Sequence, residues 1–96
     1  GAFASGKPYV ANVTLTSATT EYTWTIPYKT TSFTIQSRTA SDFKIAAVSG
    51  SSGTTYFTVK SGMSYYETEV DNWGGKIYMQ SDSAGQVIEI VYWINN

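Results

Sequence analysis

Apolar and polar residues alternate along most of this chain with a period of two, which predicts strands and leaves no segment with a helical period. Residues 10–16 put Val13 and Leu15 on one face. In 21–26, Tyr22, Trp24 and Ile26 face inward while Glu21, Thr23 and Thr25 face outward. In 31–38, Phe33 and Ile35 oppose Thr34, Gln36 and Arg38. The pattern continues with Phe43, Ile45 and Ala47 in 43–48, and with Phe57 and Val59 in 56–60. In 64–70, Tyr66, Thr68 and Val70 oppose Tyr65, Glu67 and Glu69. Residues 76–80 and 86–94 complete eight candidate strands and read as a closing hairpin through the polar turn 81–85.

Turn residues separate these runs. Pro27 has no amide donor, so it ends its strand or lies at a sheet edge. SGSSGTT at 49–55 reads as a flexible surface loop, without the lysine or the strand–helix context of a phosphate loop. DNWGG at 71–75 reads as a second loop, and residues 1–8 as an N-terminal arm preceding one β-sandwich domain over 9–96. The expected fold is all-β, with mostly antiparallel strands in a two-sheet sandwich of jelly-roll or Greek-key order. A small closed barrel is the alternative. An immunoglobulin-type sandwich lacks its cysteine pair here.

The last strand departs from the rule. Ile88, Ile90, Tyr92 and Ile94 lie on one face, and Val87, Glu89, Val91 and Trp93 on the other. A sandwich has two layers, so the outer face of a strand is normally polar. A strand apolar on both sides is either a central strand covered by loops of its own domain or a strand at a contact with another chain, and the two-layer limit favours the contact. Trp93 and Val91 are the expected anchors of that interface, and Phe3 on the arm a further one. Glu89, in the middle of the face, then needs a cation, and Arg38 or Lys44 can supply it.

Composition narrows the chemistry. At 42% hydrophobic, the 96 residues can support a core, but only 14% are charged, and the net charge of −1 provides no basic footprint for nucleic acid. Cysteine and histidine are absent, which removes disulfides, thiolate chemistry, histidine-based triads and most zinc sites. A small chain without staples gains stability by association. No apolar run approaches the roughly 20 residues needed to span a membrane, and the start GAFASGKPYV does not have the form of a signal peptide. Asn12-Val13-Thr14 matches a glycosylation acceptor that nothing else in the sequence supports.

Glu67, Glu69 and Asp71 are the strongest chemical pattern. Strand alternation would put all three on one face, roughly 6–7 Å apart, a spacing suited to a glycosidase pair or to oxygen ligands for calcium. A solvated outer face accounts for them more simply, and no catalytic, cofactor or metal site is assigned. Exposed aromatic side chains beside polar groups suggest a second chemistry, the stacking of sugar rings on Tyr28, Tyr65 and Trp73 with Asn72 bonding hydroxyls.

Four segments carry a resemblance: FTIQSRTASDFKI at 33–45, GTTYFTV at 53–59, SYY at 64–66 and SAGQVIEIVYW at 83–93. Together they make residues 33–93 resemble small virion proteins of tailed bacteriophages. That resemblance implies an all-β decoration or fibre-associated protein without enzymatic activity or cofactor, made in the host cytoplasm and located on the capsid surface. The implied partners are copies of itself, a trimer favoured, and the major capsid protein. Host glycan is the alternative partner, and neither nucleic acid nor membrane is expected.

Overall fold

A computed structural model of the chain describes residues 6–71 and 75–95. Its strands are β1 (Lys7–Leu15), β2 (Tyr22–Thr25), β3 (Thr30–Ser37), β4 (Phe43–Ala46), β5 (Phe57–Val59), β6 (Ser64–Glu67), β7 (Lys76–Gln80) and β8 (Gln86–Ile94). They form a front sheet in the order β1-β8-β3-β6 and a back sheet in the order β2-β7-β4-β5. All neighbours are antiparallel. The sheets share no pairing, so they make a sandwich and not the closed barrel held as the alternative. Consecutive strands pass from one sheet to the other except β4 and β5, which pair directly. This is jelly-roll order.

The closing hairpin expected from 76–94 does not form. β7 pairs with β2 and β4, whereas β8 pairs with β1 and β3, and residues 81–85 cross between the layers. Packing explains the crossing. Met79 on β7 and Ile88 and Ile90 on β8 are fully buried, and placing their strands in opposite layers lets these side chains fill one core.

The inner faces follow the alternation. Leu15, Phe33, Ile35, Phe43, Ile45 and Val59 are buried with Trp24 and Ile26. A row of ring contacts runs through the sandwich, from Tyr9 to Tyr92, Trp24, Phe33, Tyr65 and Phe57, with centroids 5.4–6.3 Å apart. Stacked, tilted and edge contacts of this kind add to the burial of the rings themselves. Ala47, expected inward with Ile45, is exposed because β4 ends at Ala46.

Lys7 and Pro8, expected in the arm over 1–8, belong to β1, which pairs with β8 from Lys7 on. Backbone direction explains why Pro8 is tolerated. Arg38 donates its amide to the Val87 carbonyl at 2.9 Å, and Asn95 donates to Lys29 at 3.0 Å. The odd-numbered residues of β8 therefore direct their backbone groups to β3, and the even-numbered ones direct theirs to β1. The β1 partners of Ile88, Ile90, Tyr92 and Ile94 are Val13, Ala11, Tyr9 and Lys7. Pro8, Val10, Asn12 and Thr14 consequently turn their backbone away from the sheet, where a missing donor breaks no ladder bond. Gly6 precedes them at φ +91°, and a Cβ there would lie 1.7 Å from the Ile94 carbonyl oxygen, so only glycine allows this approach.

The loop 49–55 is also not the flexible segment expected. Gly50 and Ser52 donate their amides to Glu21 at 2.8 and 3.1 Å, and the Ser52 hydroxyl donates to the same carboxylate at 2.5 Å. Gln80 donates to the Ser52 hydroxyl at 2.9 Å, and Ser52 is fully buried. Small residues let this loop lie against the back sheet, and an outward carboxylate at the start of β2 holds it there.

Candidate interaction surface

Strand register sets the outer face of the front sheet. Val10 on β1 lies opposite Val91 on β8, Val91 opposite Thr34 on β3, and Thr34 opposite Tyr66 on β6. Directly paired residues share a face, so these four form a rung across the whole sheet. The next rung contains Pro8, Trp93 and Ser32. Val10 is 72% exposed and Tyr66 68%, while Val91 and Trp93 are half-buried between their neighbours. Val10, Val91, Thr34 and Gln36 border a shallow groove of about 270 Å³.

The other half of this face is polar. Asn12, Glu89, Gln36 and Ser64 share a rung. Glu89 accepts from Arg38 Nε at 3.0 Å and from Gln36 Nε2 at 3.3 Å. The bond from Arg38, then that from Gln36, holds the Glu89 carboxyl below its ordinary value, so the group is ionised and paired. Lys44, the other cation considered for Glu89, is on the back sheet, 3.5 Å from Asp82 and over the Tyr56 ring. The face is thus split into an apolar half toward Trp93 and an ion-paired half toward Arg38.

The back sheet differs. By register its outer positions are Thr23, Thr25, Lys44, Ala46, Thr58, Lys76, Tyr78 and Gln80. Gln80 is buried under the pinned loop. That face is mostly polar and partly roofed, whereas the front face presents aliphatic and aromatic groups on its half toward Trp93.

The carboxylate pattern does not assemble. Glu67 is registered with Phe33, on the inward-facing side of an edge strand, and accepts the Tyr65 hydroxyl. β6 ends there, and Glu69 has φ +56°, which breaks the alternation that would have aligned it with Glu67 and Asp71. Among the described residues no group of three or more acidic, histidine or cysteine side chains could hold a metal ion.

Of the proposed sugar-stacking residues, Tyr28 is exposed on the β2–β3 loop and Tyr65 is half-buried on β6. Tyr65 is registered with Ile35, most of a strand away from the Thr30 that follows that loop, so the structure does not bring them together. Burial, with Glu67 as a further cause, pushes the Tyr65 hydroxyl up to about 12. Tyr65 lines an apolar cleft of about 330 Å³ with Ile45, Tyr56, Phe57 and Ile77, at the side where β5 and β6 are the sheet edges. Phe3, Asn72 and Trp73 lie outside the described residues.

Val10 and Tyr66 were not singled out by the sequence as surface groups. Each is an ordinary member of an alternating strand, and only the register shows that they extend the Val91 rung. No family model matches the chain, and neither the curated proteins nor the solved structures provide a significant match.

Proposed function

We propose that this is a non-enzymatic structural protein of a virion, a decoration protein that binds the capsid surface through the outer face of its front sheet. The observation that carries this reading is the contrast between the two outer faces: one mostly polar and partly roofed, the other with Val10, Val91, Trp93 and Tyr66 on adjoining rungs. The resemblance of residues 33–93 to small phage virion proteins supplies the setting. Burial of this face against capsid subunits favours the assembled particle by mass action, since the bound state is stabilised and the free state is not.

Size limits what one copy can do. Four strands about 4.8 Å apart, over rungs from Pro8 to Thr14, give a face of roughly 20 by 20 Å, or about 400 Å². A standard interface takes about 800 Å² from each partner. A single face therefore binds weakly, and stable decoration requires many contacts on a repeating lattice.

The test is co-sedimentation of the chain with capsids of the phage that encodes it, using wild type and Trp93→Ala, with circular dichroism to confirm folding. Wild type is expected to pellet with capsids and folded Trp93→Ala to stay in the supernatant. A wild type that does not bind capsids, or a folded Trp93→Ala that binds as well, rejects the proposal.

A further inference from the structure

The four sheet edges are not alike. β2 has four residues and is followed shortly by Pro27, β5 has three and β6 has four. β1 has nine, and its register with β8 runs unbroken from Lys7 to Leu15 with no bulge. Long, flat edges are normally blunted by charges, proline, bulges or a covering segment, because their free backbone groups template pairing. Here Lys7 and Pro8 guard only the beginning of the strand. From Tyr9 to Leu15 the sequence is YVANVTL, without a charge. Among the described residues no strand pairs with its outer side.

We infer that β1 pairs with β1 of a second copy, antiparallel and about a two-fold axis at Asn12, joining two front sheets into one continuous sheet. The hydrogen-bonding groups match under this operation. Val10, Asn12 and Thr14 turn their backbone outward, and the two-fold sets Asn12 against Asn12, with Val10 of each copy against Thr14 of the other. Every outward amide between Val10 and Thr14 then meets an outward carbonyl. Lys7 of each copy falls opposite Ser17 of the other, so no like charges meet across the ladder.

Pairing also changes the size of the outer face. An antiparallel partner keeps its outer side chains on the same side, so two faces of about 400 Å² become one of about 800 Å², the area of a standard interface. Only that use of the dimer rests on the capsid-binding reading; the pairing rests on the strand edge. A two-fold contact gives a dimer in place of the trimer expected from the sequence.

The experiment combines sedimentation velocity over a range of concentrations with amide hydrogen exchange followed by nuclear magnetic resonance. The amides of Tyr9, Ala11 and Val13 are expected to be protected at all concentrations. Those of Val10, Asn12 and Thr14 become protected only where the dimer forms. Asn12→Pro removes an outward donor without touching the bonds to β8, and Asn12→Lys sets like charges against each other on the two-fold. Each is expected to raise the dimer Kd by about tenfold or more while the monomer stays folded, and Asn12→Thr to leave it unchanged. A wild type that remains monomeric overturns the inference. So does a dimer in which Val10, Asn12 and Thr14 stay unprotected, or one that survives both Asn12→Pro and Asn12→Lys. Capsid binding by Trp93→Ala is read separately, so loss of that binding with an intact dimer rejects neither the edge nor its pairing.

Discussion

Ser52, buried completely in a loop of glycine, serine and threonine, donates a hydrogen bond from its hydroxyl to Glu21 at 2.5 Å and accepts one from Gln80 at 2.9 Å. One carboxylate at the head of β2 thereby fixes a long connection between β4 and β5 against the back sheet.

Replacing that carboxylate should release the loop. Glu21→Ala leaves the Ser52 hydroxyl and the Gly50 and Ser52 amides without their acceptor. The expected loss is about 1 kcal/mol in urea unfolding, because only Ser52 is buried and water can reach the exposed Gly50 amide. Proteolysis within 49–55 should accelerate. A variant as stable and as protease-resistant as wild type would show that the loop does not depend on Glu21.

Acid should weaken the same contact. The Ser52 hydroxyl, followed by the Gly50 amide, lowers Glu21 from its ordinary value of 4.5. A depressed carboxyl stabilises the fold fully above its unfolded value. That contribution fades below pH 4.5 and is gone once the pH is under the folded value. Arg38 and Gln36 give Glu89 the same sign. Both groups are solvent-accessible, so the effect is modest. The fall in Tm between neutral and acid pH should be smaller for Glu21→Gln than for wild type.

Tyr65 titrates in the opposite sense. Burial, assisted by Glu67, pushes its hydroxyl up to about 12 from 10.0. The neutral phenol therefore stabilises the fold below pH 10, and this contribution is lost as the pH rises from there toward 12. Ultraviolet titration should show a late-ionising tyrosine in the folded protein. Tyr65→Phe should remove it, and Glu67→Gln should move it part of the way down.

The two faces of β8 should differ in mutational cost. Ile90 is fully buried, so Ile90→Ala is expected to cost about 2–5 kcal/mol. Its half-buried neighbour Val91 faces outward, and Val91→Ala should cost about 0.5 kcal/mol or less in the isolated chain. Chemical denaturation of both variants measures the difference. Equal costs would place a covering layer over Val91 in solution.

Strands and their inward residues were legible because alternation is a local property: Trp24, Phe33, Ile35, Phe43 and Ile90 are buried as their positions predicted. Pairing was not. The short polar segment 81–85 suits a hairpin and a layer crossing alike, and only the long-range pairing, β7 with β2 and β4 and β8 with β1 and β3, separates them. The same limit hid Val10 and Tyr66, whose place beside Val91 depends on register. The carboxylate pattern failed for a local reason, the positive φ of Glu69, because alternation was extended past the end of β6. The loop 49–55 looked free because its anchor, Glu21, is distant in sequence.

Among the described residues β1 pairs with β8 alone, and β8 also separates β1 from β3. During synthesis, the ribosome delivers β1 and β3 well before the strand that belongs between them. Until residues 86–94 emerge, the nascent chain holds a long unsatisfied edge and half a core open to solvent. Pairing so distant in sequence is slow to form, and an open strand edge is prone to aggregate until it closes.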